Sequence, residues 1–576
     1  MTSKEGKRIS GGEILMESLL MQGVDTIFGY PGGQIMPVYD KLYDYRERLR
    51  HILVRHEQGA IHAAQGYARV KNRPGCVMVT SGPGATNVIT GIADAMIDST
   101  PVVVIAGQVD TALLGTDAFQ EIDLIGMTSP ITKWSYQIRR PEDIAPAVAR
   151  AFYIAGSGRP GPVVLDFTKN AQVDKTEYKS AVCNFIRSYV TRPKMDMDAI
   201  SEAARLIDTS ERPFVVYGQG IIQSGAEKAL AAFLEKGDIP AGTTLLGLGA
   251  LPTDNPHLTG MLGMHGNIAP NILTQKADVL IAVGMRFDDR VTGRTDKYAK
   301  NARIIHIDID ASELGKNVPV DVAINADARE ALEALTELIS RRSLESWRGI
   351  REKCDKVEEE KVIIPEIKPG SGLMNIGEVV TAVSKFSEKN TIVVTDVGEN
   401  QMIAARYTHF RRSRSFLTSG GLGTMGYGLP AAIGAKIGAP QCRVCVFVGD
   451  GGLQMTEQEL GTIMQEGLGV KIVLINNSWL GNVRVWQQLF FNRRYSFTKL
   501  VNPDFGKLAE AYGIKCVTVN RREDLNAAVK DMFSDDRPFI LNALVKEENV
   551  VFPMIPPGKG VDEIMLNEKE WFVNED

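Results

Sequence analysis

The stretch VCVFVGDGGLQMTEQELGTIMQEGLGVKIVLINNSW, residues 444–479, decides the fold. Its two apolar runs, 444–448 and 470–475, are short and rich in Val and Ile, which predicts parallel strands buried on both faces. Between them a helical stretch opens directly after Gly449, Asp450, Gly451 and Gly452. The unit is strand, helix, strand.

The same alternation runs outward in both directions. TIVVTDVG (391–398) is a further strand of this kind. GCVMVTSG (75–82), TPVVVIAG (100–107) and GPVVLDF (161–167) form one earlier series. RPFVVYGQG (212–220), ADVLIAVGMRF (277–287) and ARIIHIDID (302–310) form another, each strand ending in Gly or Asp, where ligands collect in open α/β sheets. Residues 345–372, charged and then bearing Pro and Gly, read as a helix end and a surface linker. The predicted fold class is α/β, with three doubly wound parallel-sheet domains over 1–185, 190–345 and 372–576 and a linker over 346–371.

Composition narrows the function. A chain of 576 residues with 44% hydrophobic content is too long for one core. A formal net charge of -5 gives no general attraction to nucleic acid or to an anionic membrane, so an anionic ligand must be held locally. The basic clusters HFRRSRS (409–415) and NRRYS (492–496) lack interleaved aromatics and read as solvated or interfacial. Every long apolar run is interrupted by Gly, Pro or charge, so none is expected to cross a bilayer. Six scattered cysteines and a polar start suit a reducing cytoplasm. Cys442 and Cys445 are the only close pair, and Cys445 belongs to a buried strand.

At the decisive stretch, flexible glycines flank one carboxylate, Asp450, and the second strand ends in Asn476 and Asn477 at the same sheet edge. One carboxylate, one amide oxygen, a backbone carbonyl and two phosphate oxygens make a shell for a hard cation such as Mg²⁺. GDG or NN alone is a common turn, but the two at this spacing are a specific signal. The arrangement resembles the diphosphate motif of the thiamine-diphosphate-dependent enzymes, over nearly the whole chain. That resemblance implies Mg²⁺ on Asp450, Asn477 and the Trp479 carbonyl. It places thiamine diphosphate near Gly449, Gly451 and Gly452, with Val397, Gly398, Met455, Gly481 and Val483 around it. In SGGLGTMGYGLP (419–430) it gives Gly423 and Met425 the aminopyrimidine.

Making a carbon nucleophile from a 2-keto acid needs an electron sink, which the thiazolium ring supplies. A carboxyl group on the pyrimidine nitrogen promotes loss of the ring's C2 proton. Glu57, in VRHEQGAIHAAQGYARV (54–70), is the candidate, although a Glu in a helix's first turn also serves as a dipole-favourable residue. His56 and His62 read as structural. The resemblance brings Glu57 to a cofactor anchored by another chain, so a homodimer is the minimal unit and a homotetramer the alternative.

GYPGGQIMPVYD (29–40), GTDAFQEID (115–123), GMLGMHG (260–266) and VGMRFDDRVTG (283–293) resemble the acetohydroxyacid (acetolactate) synthases of the FAD-bearing biosynthetic type. The implied activity is decarboxylation of pyruvate and condensation with a second pyruvate or with 2-ketobutyrate, the first common step to valine, leucine and isoleucine. The resemblance puts a structural, non-redox FAD near Arg159, Gly218, Gly220, Met264, His265, Gly266, Arg286, Asp288, Asp289, Arg290, Val291, Asp308 and Asp327. Arg159 and Arg290 have the charge to neutralise its diphosphate, and Asp308 ends a strand where a ribose or adenine would lie. RFDDR alternatively reads as a solvated charge run.

For substrate, the resemblance implies Gly33, Phe119, Gln120 and Lys169 along the channel, Arg286 for a carboxylate and Trp486 as an apolar wall favouring the larger acceptor. Phe119 and Trp486 alternatively read as core. Five positions depart from the family pattern: Gln34, Asp110, Glu399, Asn400 and Asn482. Glu399 bears on the diphosphate contacts, because an anion beside phosphates needs reorientation or a cation. A pyruvate oxidase and a non-catalytic nucleotide-binding scaffold are the rivals; RFDDRVTG and Trp486 weigh against the first, Glu57 and the GDG–NN pair against the second. The chain ends soon after VVFPMIPPGKGVDEIM (550–565), so feedback inhibition is expected to need a separate small regulatory subunit.

Overall fold

In a computed structural model, which describes residues 4–573 with the side chains of 345 and 346 excepted, the chain builds three six-stranded sheets, all parallel. Residues 1–3 and 574–576, the outer ends of the first and last expected domains, lie outside the described residues. The first sheet has the order Arg50–Leu53, Thr26–Gly29, Gly75–Val79, Val102–Gln108, Pro162–Thr168, Trp134–Ile138. The second runs Leu258–Met261, Ala241–Thr243, Pro213–Tyr217, Val279–Val283, Arg303–Asp308, Val322–Asn325. The third runs Phe416–Leu417, Ile392–Thr395, Val444–Gly449, Val470–Asn476, Phe539–Leu544, Lys515–Val519.

The inner strands are buried on both faces, as their apolar runs require, whereas the edge strands Arg50–Leu53, Trp134–Ile138 and Lys515–Val519 are partly open. In the first sheet Val77, Val79, Val102 and Val104 point into one core, whereas Cys76, Met78, Val103 and Ile105 point into another. The first of these cores continues into Val394, Val444, Val446 and Ile472 of the third sheet. Two helices, α1 (Glu57–Lys71) and α3 (Gly428–Gly438), make that join. They touch backbone to backbone: a Cβ at Gly434 would lie 1.8 Å from the Ala63 carbonyl oxygen, and one at Gly66 would lie 2.0 Å from that of Ala431. No side chain fits there.

One expectation changes. The segment read as a surface linker is mostly helix, α2 (Glu345–Glu358), extended by a wider turn to Ile367. Trp347 is fully buried and donates its indole N–H to the Pro213 carbonyl at 2.9 Å, and Cys354 and Val362 are buried with it. The charged majority of the segment is its solvent face, which hid the apolar stripe. Glu358 is buried too, paired with Arg406 of the third domain at 2.5 Å. Another short helix, α4 (Gly481–Phe490), follows the third domain's Asn-Asn edge. Among the described residues no helix is long and apolar enough to cross a membrane.

Gly434→Ala should lower the thermal unfolding midpoint, by an overpacking cost of about 1–3 kcal/mol. Gly349→Ala, on α2 with nothing within 4 Å of the added carbon, should leave it unchanged or raise it slightly. Equal effects of the two changes in a melting experiment would refute the backbone contact.

Candidate active site

All three sheets present most of their expected site residues beyond the carboxyl ends of their strands, where an open α/β sheet binds ligands; Arg159 instead precedes its strand. In the third domain Gly398 follows one strand, Gly423 and Met425 a second, Gly449 and Asp450 a third, and Asn477 and Trp479 a fourth. The backbone there is bare: a Cβ at Gly423 or Gly449 would meet nothing nearer than 3.7 Å. Met425 leans on this edge, its terminal methyl 3.7 Å from where a Gly451 Cβ would be. Met455, across from Gly426, is about half exposed. Asp396, which sequence reasoning passed over, shapes the edge: its buried carboxylate accepts backbone N–H bonds from Gly426 (3.0 Å) and Gly428 (2.8 Å).

Asp450 is buried, and burial pushes its carboxyl above the usual range. Its oxygens accept from the Ser478 N–H at 2.7 Å, the Gly451 N–H at 3.0 Å and the Asn502 side chain at 2.6 Å. Asn502 also reaches Asn476 at 3.0 Å. It lies in a loop beyond α4 and carried no motif, so only the fold reveals it. Asn477 accepts from the Trp479 N–H (3.0 Å) and donates to Glu399 (3.2 Å). A buried carboxylate and an amide oxygen at one bare edge are oxygen donors suited to a hard cation carrying phosphate. Among the described residues no cluster of three or more His, Cys, Asp or Glu offers another metal centre.

The departures at 399 and 400 are accommodated. Glu399 packs on Gly481, where a Cβ would lie 2.2 Å from its Oε2, and faces the fully buried Arg484 at 3.4 Å. Burial pushes its carboxyl up to about 7, against the pull of that guanidinium. Arg484 is the cation the sequence reading asked for. Asn400 donates to the carbonyls of Asp396 and Phe447, both at 3.0 Å, tying two strand ends together.

In the first domain Gly33, Glu57, the pair Phe119 and Gln120, and Lys169 follow four different strands directly or in the loops beyond them. Glu57 begins α1 and accepts from Asn87 at 2.9 Å. Gln120, in the left-handed region with φ 63°, packs against Gly82. Phe119 is 84% exposed, which rules out its core reading. Its loop is folded by Glu121, which accepts from the N–H groups of Gly115 and Ala118. Gly33 and Lys169 are exposed, and the Lys169 N–H reaches the Val109 carbonyl at 3.4 Å. No hydrogen bond among the described residues joins Glu57 to the Asp450 edge.

Between the domains lies a cavity of about 1080 Å³. Gly218, Gly220, Met264, His265, Arg286, Asp288, Arg290, Asp308 and Asp327 of the central domain line it. Val397, Gly423, Val483 and Trp486 of the third domain close one wall, and Arg159 of the first closes another. Trp486 is half-buried on this wall, edge-on to Phe490 at 5.3 Å, not in a helix core. Gly220 and Gly284 pack so closely that a Cβ on Gly220 would lie 2.5 Å from the Gly284 Cα, which leaves two strand ends bare. His265 Nδ1 and Glu313 Oε2 are buried there without partners, and burial pushes the Asp308 carboxyl up to about 6. A long polar ligand of nucleotide type fits this wall.

Arg159 is already engaged by Glu313 (2.6 Å) and Asp310 (3.1 Å), so its charge is compensated within the protein. Gly266 sits behind the wall, its carbonyl held by Arg406 at 2.7 Å. Arg414, from a basic cluster, lines the cavity and donates to the carbonyls of Ile222 and Arg69. Arg412 likewise bonds Asn390 and is half-buried, whereas Arg493, paired with Glu568, lies in an exposed loop, so the second cluster is solvated.

Family models match all three domains. The N-terminal TPP binding domain of thiamine pyrophosphate enzymes matches residues 9–127, their central domain 200–335, and their C-terminal TPP binding domain 396–543. The acetolactate synthase large subunit of Lactococcus lactis is 43% identical over 563 residues, covering 97% of this chain and 96% of that protein. The chain belongs to the acetolactate synthase large subunits. The probable acetolactate synthase large subunit of Methanocaldococcus jannaschii is 44% identical, with 96% of this chain and 94% of that protein covered. The isozyme 2 large subunit of Escherichia coli is 42% identical, covering 97% and 99%. As an acetolactate synthase large subunit, the chain is a catalytic subunit and a thiamine-pyrophosphate-dependent enzyme, consistent with branched-chain amino acid synthesis.

A buried acid supports the loop that carries Phe119. Asp166 accepts from Gln108 (3.3 Å) and Gln137 (2.7 Å), and Gln108 also bonds the Ile122 carbonyl at 2.9 Å. Burial pushes its carboxyl up to about 6, above the usual range near 4. A raised carboxyl is harmless while protonated and destabilises as pH rises through 4 to 6. Asp166→Asn should therefore raise the unfolding midpoint at pH 8, by at most about 3 kcal/mol, with the gain shrinking toward pH 4. A gain independent of pH in thermal melts would contradict this.

Proposed function

We propose that the chain decarboxylates pyruvate and joins the resulting two-carbon unit to a second pyruvate, giving 2-acetolactate, or to 2-ketobutyrate, giving 2-aceto-2-hydroxybutyrate. The observation that carries this reading is the pairing of the Asp450–Asn477 edge with the cavity walled by Arg286 and Trp486. Bound thiamine diphosphate supplies the electron sink that a 2-keto acid needs to lose carbon dioxide.

Asp450, Asn477 and the Trp479 carbonyl would hold Mg²⁺ and with it the diphosphate, beside Gly449, Gly451 and Gly452, with Gly398 and Gly481 next to them. Glu57 holds a proton at the pyrimidine nitrogen, its carboxyl fixed by Asn87. Val397, Gly423, Met425, Met455 and Val483 surround the cofactor. Arg286 binds the acceptor's carboxylate and Trp486 its alkyl group, with Gly33, Phe119, Gln120 and Lys169 along the approach. The central-domain wall, from Gly218 and Gly220 to Asp327, holds FAD in a structural role.

Glu57 and Asp450 share no hydrogen bond in one chain, and Phe119, Leu422, Met455 and Val483 leave apolar surface exposed beside the two edges. A second copy placing its Glu57 edge on this Asp450 edge would complete the site and cover that surface, so the working unit is a homodimer or homotetramer. A cytoplasmic location and a separate small regulatory subunit complete the proposal.

Product analysis with pyruvate, Mg²⁺, thiamine diphosphate and FAD tests it. We expect 2-acetolactate at equal rates under nitrogen and in air, and acetohydroxybutyrate as the main product once 2-ketobutyrate is present. Acetate or acetyl phosphate appearing only with oxygen would overturn it. Glu57→Gln should lower kcat about 100-fold or more. Trp486→Leu should lower the ratio of acetohydroxybutyrate to acetolactate in competition assays, while an unchanged ratio removes Trp486 from acceptor choice.

A further inference from the structure

The helix that Glu57 opens is gripped from outside its own domain. An α-helix leaves the N–H groups at its start without partners inside the helix. Here those of Arg55 and His56, just ahead of Glu57, both donate to Glu459 of the third domain. Arg55 reaches its Oε1 at 3.0 Å and its Oε2 at 3.2 Å, and His56 reaches the same Oε1 at 3.0 Å. Thr462 donates its hydroxyl to Oε2 at 2.7 Å. Glu459 is fully buried, and its turn, Glu457–Glu459, follows directly on the helix Asp450–Thr456.

The contact is shaped around this carboxylate. In the first turn of α1 a Cβ at Gly59 would lie 2.3 Å from Glu459 Oε1, so the group fits only against the bare backbone of a glycine. The nearby cation is not its partner: the Arg55 guanidinium turns to the carbonyls of Leu53 and Gly461, both at 3.1 Å, and to Gln465 at 2.9 Å. The carboxylate is engaged instead by the backbone just ahead of Glu57, at the positive end of the helix, where an anion is favoured. Removing it would leave buried N–H groups unpaired, which costs more than the bonds themselves contribute.

Glu57 is therefore held at both ends. Asn87 fixes its carboxyl at 2.9 Å, and Glu459 fixes the backbone from which it projects. A displacement of this root by a fraction of an ångström changes whether an acid reaches its proton partner. We propose that Glu459 is a positioning residue for Glu57, setting the reach of that acid to the pyrimidine nitrogen of thiamine diphosphate without taking part in the hold on the diphosphate. This rests on the reading that Glu57 acts at that nitrogen. A residue of this kind lowers the rate of the step the acid serves and leaves cofactor affinity alone, a split that a general loss of stability does not produce.

The test uses the full-length protein with Mg²⁺ and thiamine diphosphate. Exchange of the cofactor's C2 proton for deuterium, read by NMR after acid quench, reports on Glu57. Cofactor affinity comes from titration calorimetry, and backbone exchange at Arg55 and His56 from mass spectrometry of the cofactor-free protein. Glu459→Met fills the same space with no acceptor, whereas Glu459→Gln keeps one oxygen for both N–H groups and can turn its amide to Thr462. We expect Glu459→Met to slow C2 exchange at saturating cofactor about tenfold or more and to speed exchange of the two backbone N–H groups. Its affinity for the cofactor should stay within about twofold of the wild type, and Glu459→Gln should restore most of both exchange rates. If Glu459→Met does not fold, Thr462→Val, which removes only the hydroxyl on Oε2, takes its place and should shift both rates the same way by about threefold. C2 exchange as fast as in the wild type, with Glu57→Gln slowed, would overturn the positioning role alone, as would a loss of affinity as large as the loss of rate. C2 exchange in Glu57→Gln equal to the wild type would overturn the reading of Glu57 and the positioning role with it.

Discussion

The backbone contact of α1 with α3 is the constraint on which the rest depends. Two helices can approach to this distance only where one contributes no Cβ, and Gly66 and Gly434 meet that condition reciprocally, each against the other helix's carbonyl. Because the helices touch, the first and third sheets share one core and their carboxyl edges are fixed relative to each other. Arg69, on α1, then reaches Asp98 (2.8 Å) and the Thr418 carbonyl (2.6 Å), and Asp98 accepts from the N–H groups of Gly420 (2.9 Å) and Gly421 (2.7 Å). The loop that forms one wall of the cavity is thus held by residues of another domain.

Buried charges lie with their partners at the domain seams: Arg406 with Glu358 and Arg159 with Glu313 span them, and Arg69 with Asp98, both of the first domain, reaches the third through backbone groups. Burying such pairs adds little net stability, since desolvation offsets most of the attraction, but separating them is costly. Their effect is geometric. Arg406 fixes the Gly266 carbonyl behind the cavity wall and, through Glu358, the N–H of Ile268 at 2.6 Å. The walls of the cavity are therefore set before any ligand arrives, which spares a bound molecule the cost of ordering them.

The pair Arg484 and Glu399 follows the same logic inside the third domain, with one difference. Glu399 replaces an amide of the family pattern by an acid, and the acid turns toward the guanidinium and Asn477, leaving the bare backbone at Gly398 and Gly449 unobstructed. A charge that looked hostile to a diphosphate in the sequence is consumed by an interaction inside the protein.

What the sequence by itself determined is local: strand runs with no polar alternation, the glycines flanking Asp450, and Asn476 and Asn477 at the next strand's end all lie within residues 444–479. That stretch sufficed for parallel strands and for the resemblance to thiamine-diphosphate enzymes; the acetolactate synthases were legible only with the segments at 29–40, 115–123, 260–266 and 283–293. What only the tertiary structure decided involves partners far apart in the chain. Asn502 on Asp450, Asn87 on Glu57, Arg414 in the cavity and the compensated Arg159 depend on loops whose spacing carries no signal. Trp347 went unread because its helix is charged on the other face. Hydrogen bonds and burial are made by neighbours in space, and periodicity reports only neighbours in sequence.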